Sequence, residues 1–384
     1  MISLKQDVNR LVKSVVAELA ADGSVLKQEY CNGVIRSKKR YTYKEVKKIV
    51  NGEDPQLAHA NAATVPTLKL MQELALLLQK RRVDRGSLDL DLPSVKIWVD
   101  AKGKVTSIEK EERDIAHTMI EEFMLVANEL VARHLANRGL PCMYRVHDAP
   151  SLESLDDWIA LVKGFGFKIP PVTNTKKIQH FLFSIKGHPD SYTINYNLLR
   201  ALKQAVYATK NIGHYALALA HYCHFTSPIR RYPDLMVHRL LQQTLDPKHS
   251  QVGVARERMA AMAKHCSERE RLAADAEYDA VDLKKLEYLQ EQIAQKKHLK
   301  MEGVVRSIMN FGFFVQTNDF LIDGLVHAST LTDDFYDADA KKHKFQGKRT
   351  GKYFKLGDPV TVEPIKIDLV KRQVDFRVVS RSKV

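Results

Sequence analysis

Cysteine is scarce and scattered in this chain. Cys31, Cys142, Cys223 and Cys266 are the only four in 384 residues, and no two stand in CxxC spacing. That leaves no disulfide framework and no paired-thiolate metal site, and it predicts free thiols in a reducing cytoplasm. Long apolar runs are missing too: no run of about eighteen apolar residues occurs, so no membrane-crossing helix is expected. Residues 1–20 carry acids and bases throughout, which is not the composition of a secretory signal. Acids are also in deficit, 46 Asp and Glu against 60 Lys and Arg, for a net charge of +14. An excess of that size points to a polyanionic partner, while leaving RNA, DNA and a membrane surface undistinguished. Core material is plentiful. At 45% hydrophobic over 384 residues, the chain should fold into two or more globular domains.

Pattern and punctuation then divide the chain. Gly23 and Gly33 mark turns between strands in the first forty residues or so, and Tyr43–Val46 opens a short helix. Residues 67–82 read as a helix with Leu68, Leu70, Met71, Leu74 and Leu78 near one face. Residues 86–92 alternate as a strand, with Asp89 and Asp91 on a solvated face rather than forming a metal pair. Over 108–138 a helix is expected, with Ile115, Met119, Ile120, Phe123, Met124, Val126, Ala127 and Leu130 at helical spacing. Glu121 and Glu122 interrupt its apolar positions, and Gly139 and Pro141 stop it. Helices follow over 151–166 and 194–209, with a Pro-, Thr- and Lys-rich loop near 169–177 between them. Residues 251–296 read as one long charged helix, or two with a break.

Beyond residue 295 the composition changes to short β runs. Two strands flank Gly312, and IDGLVHASTL, VTVEPIKID and QVDFRVV supply three more, which suits a five-stranded barrel. Phe313 and Phe314 must point to opposite faces, one into the core and one outward as a platform. Residues 341–355 place Lys341, Lys342, Lys344, Lys348, Arg349, Lys352 and Lys355 on a loop without an acid. Such a loop is solvated, and it would also steer RNA through counterion release.

The densest chemistry lies at 221–241, HYCHFTSPIRRYPDLMVHRLL. Pro228 and Pro233 bias the residues before them away from helix, so Arg230 and Arg231 fall at or just before a helix start. Two adjacent guanidiniums suit a phosphodiester, because each is a planar fork of donors that stays charged. The same residues would equally make an Arg–Asp network with Asp234 that closes the helix start. His221, Cys223 and His224 sketch half a zinc site, but no second ligand pair lies at a useful distance.

FTSPIRRYPDLMVHR resembles the signature of the RNase II / RNase R family, 3′-to-5′ exoribonucleases with an RNB catalytic domain. Gly213–Leu219, VIRSKKRYTYKEV, GSLDLDLP, MIEEFMLVAN, YRVHDAP and Ala276–Ala280 are similar to further family segments. The resemblance implies roles residue by residue. Arg230 would be catalytic and Arg231 a substrate contact. Tyr43 would lie in the pocket that receives the 3′-terminal nucleotides, Glu121 would face the RNA channel near the terminal ribose, and Glu277 would lie behind the exit of the site. Leu90 stands where some members carry an aromatic that clamps the terminal base, so that half of the clamp is missing. The last segment resembles an S1-like RNA-binding domain, in which Phe311, Phe314, His327, Asp368 and Arg372 match positions that face nucleic acid.

The fold class implied is α+β: the C-terminal half of an RNB domain over 1–295, then an all-β five-stranded OB-fold, S1-like, over 296–384. The function implied is the C-terminal portion of an RNase R-like processive exoribonuclease that hydrolyses RNA to nucleoside 5′-monophosphates in the cytoplasm. Mg²⁺ is expected for the family, held by aspartates of the form D-x5-D-x-D-D-A upstream of the first segment matched here. Asp156–Asp157 and Asp333–Asp334 are isolated pairs, so no metal ligands are expected in this chain. The partner implied is single-stranded or structured RNA and not a membrane. Two alternatives stand beside this one: a non-catalytic RNA-binding protein, and one subunit of a split enzyme that needs a separate N-terminal half.

Overall fold

The computed structural model describes residues 3–90, 92–111, 114–169, 174–246, 256–295, 299–339 and 344–381. Asp91, Lys296, Lys297, Lys341 and Lys342, and residues 170–173 of the expected loop, lie outside the described residues.

The chain begins with an antiparallel hairpin, β1 (Asn9–Leu19) and β2 (Val25–Arg36), which turns at Gly23. Gly33 does not mark a turn; it sits inside β2 opposite Val12. Thr42 and Glu45 then form a reciprocal cap that starts α1 (Tyr43–Asn51), and Gly52 ends it in the left-handed conformation. After the short α2 (Pro55–Ala60), α3 (Val65–Arg85) buries Leu68, Ala75, Leu78 and Arg82, a stripe at helical spacing. Leu70 is outside that stripe and exposed.

Residues 86–90 are extended but belong to no strand: Leu88 N–H donates to Ala216 O, and Asp89 N–H donates to the Gln179 side chain. The start of the helix expected at 108 is instead the second arm of a hairpin, β3 (Ser94–Val99) with β4 (Val105–Glu111). The Asp114 side chain accepts from the N–H groups of Ala116 and His117 and sets the true start of α4 (Ile115–Asn137). Ile120 and Met124, read as core by spacing, are partly exposed.

β5 (Tyr144–Val146) leads to α5 (Leu152–Gly164), α6 (Thr175–Ser184) and α7 (Ser191–Ala201). The helix expected to 209 stops at Ala201, because Val206–Ala208 forms β6 and pairs with β5. After α8 (Tyr232–Leu245), α9 runs unbroken from Arg256 to Gln295.

Two cores hold this part together. Val131, Leu135, Met143, Tyr144, Met236, Leu241 and Met259 join α4, α8 and α9 to the β5–β6 pair, and Trp158, Ile178, Phe181, Ile194 and Leu198 join α5, α6 and α7. Each such side chain contributes roughly 1.5–3 kcal/mol by burial.

The remaining strands form a closed five-stranded barrel: β7 (Met301–Met309), β8 (Gly312–Thr317), β9 (Asp323–His327), β13 (Pro359–Asp368) and β14 (Gln373–Arg381). Between β9 and β13 lies a small sheet that sequence reading took for loop, β10 (Tyr336–Asp339), β11 (Lys344–Gly347) and β12 (Tyr353–Lys355). Tyr336, Phe345 and Phe354 fold that sheet onto Phe313 in the barrel core. The barrel is anchored twice. Leu286 and Leu289 of α9 enter its core, while Leu356 enters the α5–α7 core.

Candidate nucleic-acid interface

The signature segment is held from beneath by one side chain that sequence reading passed over. Asn128, buried on α4, accepts from Phe225 N–H at 2.9 Å and donates to Tyr222 Oη at 3.2 Å; its carbonyl receives the Cys223 thiol at 3.5 Å. The chain then turns at Ser227. Ser227 N–H and Arg231 Nη2 both donate to Asp234 Oδ1 at 2.8 Å, and Asp234 has no exposed surface. The Arg–Asp closure of the helix start is therefore real, and Arg231 makes it. Arg230 is exposed, and its guanidinium makes no hydrogen bond or ion pair among the described residues.

Behind these arginines lies a layer of neutral aromatic and imidazole groups. Burial, reinforced by the Arg231 and Arg145 guanidiniums, pushes His224 down to about 2, and burial pushes His214 down to about 3. His224 Nδ1 pairs with Tyr207 Oη at 2.8 Å, and Cys223 is occupied with Asn128, so neither is disposed for zinc. Arg145 and His147 are also structural: Arg145 pairs with Glu270 over the Tyr207 ring, and His147 is buried between Lys203 O and Ala216 N–H. Asp148 pairs with Lys203, not Arg145.

Tyr43 opens α1 and lies flat against His117 on α4, with ring centroids 3.9 Å apart and an interplanar angle of 23°. His117 Nδ1 is 2.8 Å from Asp114 Oδ1. Glu121 stands one turn further along the same helix and is half-buried. Its neighbour Glu122 turns inward to Arg82 Nε at 2.8 Å, both nearly inaccessible. Leu90 packs on the α5–α7 core. Glu277 is exposed in the middle of α9, where residues 271–280 are open to solvent on nearly every side.

On the barrel, Gly312 has φ +153°, and a Cβ there would lie 2.2 Å from Val326 O. That tight start to β8 separates Phe311, which is exposed, from Phe313, which is wholly buried. Phe311 and Phe314 line a cleft of about 340 Å³ against α9, together with Arg372, Lys285 and Asp282. His327 lies parallel to Phe311 at 6.4 Å, and Arg372 reaches Asp279 of α9 at 2.8 Å. Asp368 caps the turn before Arg372, accepting from Lys371 N–H. Between β10 and β12, Lys348 and Lys352 are exposed to solvent and also paired, with Asp337 and Asp333.

No group of three or more His, Cys, Asp or Glu side chains among the described residues is placed to hold a metal ion. None of the described helices is long and apolar enough to cross a membrane.

Residues 1–247 match the RNB domain, and residues 295–378 match the S1 RNA binding domain. This chain belongs to the RNB family. Ribonuclease R of Aquifex aeolicus is 37% identical over 99% of this chain and 54% of its own length. Ribonuclease R of Thermotoga maritima is 38% identical over 97% of this chain and 53% of its own length, and that of Escherichia coli 32% over 99% and 48%. The chain thus spans about half the length of the curated relatives it matches. The apo form of Mycoplasma genitalium RNase R superposes with a TM-score of 0.88 at 29% identity, covering 98% of this chain and 59% of that one. The same RNase R has been solved with ribose methylated single-stranded RNA and with double-stranded RNA. Nucleases of the RNB family use divalent metal, and the carboxylates described here do not fit that task. Asp234 and Glu122 are each committed to a guanidinium, and among the described residues neither belongs to a group of three or more His, Cys, Asp or Glu that could hold a metal ion.

Proposed function

We propose that this chain is the RNA-engaging portion of an RNase R-like, processive 3′-to-5′ exoribonuclease of the cytoplasm. It would comprise the C-terminal half of the RNB domain and an S1-like OB barrel, divided near residue 295. One observation carries the reading. Arg231 pairs with Asp234 Oδ1, and the adjacent Arg230 guanidinium stands uncommitted at the surface of the signature turn. A planar fork in that position suits a phosphodiester held beside the reacting bond. Tyr43 and Glu121 would take the terminal nucleotide, and Phe311, Phe314, His327, Asp368 and Arg372 would take single-stranded RNA on its way in. Arg231 would act by holding the turn, and Glu277 would sit beside the exit. The family's Mg²⁺ would be held by aspartates outside the donors described here.

A separately made N-terminal half that carries the D-x5-D-x-D-D-A aspartates tests this reading. Mixed with this chain, Mg²⁺ and poly(A), it should release AMP, while this chain alone should release none. Chelator-sensitive release that survives repurification of the isolated chain would overturn the placement of the metal donors. A mixture that binds RNA and releases nothing would favour the second reading, a non-catalytic RNA-binding protein, with which the lack of a three-ligand group among the described residues agrees.

A further inference from the structure

Tyr43 is the first residue of α1, so its ring stands at a helix end where the backbone alone does little to fix it. What fixes the ring is His117. The two rings lie 3.9 Å apart and 23° from parallel, and Asp114 holds the imidazole through Nδ1 at 2.8 Å. Asp114 is itself immobilised, since the same Oδ1 accepts from the N–H groups of Ala116 and His117 and so belongs to the cap of α4. A rigid 23-residue helix thus dictates, through one carboxylate and one imidazole, the plane of a tyrosine on another element. The residue one turn beyond His117 is Glu121, so the helix that sets the tyrosine plane also carries the second group assigned to the terminal nucleotide.

We infer that His117 is a positioning residue: it fixes the Tyr43 ring in place before RNA arrives, so that the terminal nucleotide meets a pre-ordered surface. This rests on the reading of Tyr43 as a contact of the RNA 3′ end. Pre-ordering matters because an aromatic that must be immobilised on binding spends part of its contact energy on lost rotamer freedom. The cost would show as weaker binding of the RNA end, with no loss of fold.

A double-substitution cycle tests it, using the full 384-residue chain and a 5′-fluorescein-labelled oligo(A) twelve-mer followed by anisotropy. Tyr43→Ala should weaken binding on the order of tenfold, as expected for one base-stacking aromatic. His117→Ala should lose most of that factor, and the double variant should bind no worse than Tyr43→Ala alone. His117→Phe keeps a stacking face without the tether and should recover part of the affinity, an outcome a merely structural histidine would not produce. Thermal unfolding reports any variant that fails to fold, and His117→Phe, the conservative one, keeps the test decisive if His117→Ala does. Losses that multiply in the double variant, or a His117→Phe no better than His117→Ala, would overturn the inference while leaving Tyr43 as an RNA contact. Tyr43→Ala binding like the native chain would overturn the pocket reading itself, and the inference with it.

Discussion

Arg231 and Arg230 share a chemistry, and their surroundings separate what each does with it. Arg231 faces Asp234, a carboxylate with no exposed surface whose Oδ1 also receives Ser227 N–H. Removing the guanidinium by Arg231→Ala leaves that carboxylate buried without its counter-charge, which costs about 3–5 kcal/mol. Arg230→Ala removes no partner and should change stability by no more than about 0.5 kcal/mol. Urea melts of the two variants check this, and equal losses would show that the turn does not divide its work between the two residues. In the reconstituted mixture, Arg230→Lys should keep RNA binding and lose turnover on the order of 10²–10³-fold, since lysine retains charge without the planar fork. Full turnover in Arg230→Lys would remove Arg230 from the chemistry.

At the scale of elements, the segment between β6 and α8 carries histidines that fold in the neutral form. His214 and His224 there are pushed by burial to about 3 and about 2, and His134 on α4 to about 4, from an ordinary 6.5. The unfolded chain takes up protons at these sites below about pH 6.5 and the folded chain does not, so stability must fall as pH falls through that window. The slope is at most about 1.4 kcal/mol per pH unit for each histidine. Asp148 and Asp333 have lowered values, so their contribution is lost only nearer the ordinary carboxylate range, and a fall between about pH 6.5 and 5 belongs to the histidines. His224→Gln, which keeps an acceptor for Tyr207, should flatten the fall in urea midpoint; an unchanged midpoint in the native chain would contradict the neutral layer. The sequence shows why this layer is hard to foresee. HYCH reads as a metal fragment because spacing says nothing of burial, and β6 hides in an apparent helix because its partner Tyr144–Val146 lies some sixty residues away. Alternation suffices for all five barrel strands, and helical spacing for α3 and for the body of α4, but not for the start of α4, where 108–111 is strand. Asn128 and His117 escape such a reading because each acts on a distant segment; a polar side chain within an apolar helical stripe marks Asn128, whereas His117 has Asp114 and Glu121 as its helical neighbours and no local signal.

For the whole molecule, the question is how the barrel face and the RNB part would share one strand of RNA. α9 spans both, with Met259 and Ala263 in the first core and Leu286 and Leu289 in the barrel core. Deleting the barrel would therefore uncover Leu286, Leu289 and the α5–α7 contact at Leu356, and would confuse lost binding with lost fold. Point changes on the cleft avoid this. Phe311 and Phe314 line it while Phe313 is the one of the three that enters the barrel core, so Phe311→Ala with Phe314→Ala should leave thermal unfolding near that of the native chain. Affinity for single-stranded RNA should drop on the order of tenfold or more, since each stacked base is worth about 1–3 kcal/mol. Stacking releases no counterions, so the dependence of log affinity on log salt should keep its slope in that variant. Arg372→Gln should do the reverse: a modest loss at low salt and a slope shallower by about 0.7, the value for one phosphate contact on a single strand. Arg372 must leave Asp279 to make that contact, and both groups are largely exposed, so the exchange of a screened ion pair for a phosphate costs little. Affinity unchanged in the double phenylalanine variant, with the slope unchanged in Arg372→Gln, would mean that RNA does not use the barrel cleft and that the basic charge of the chain serves the RNB part alone.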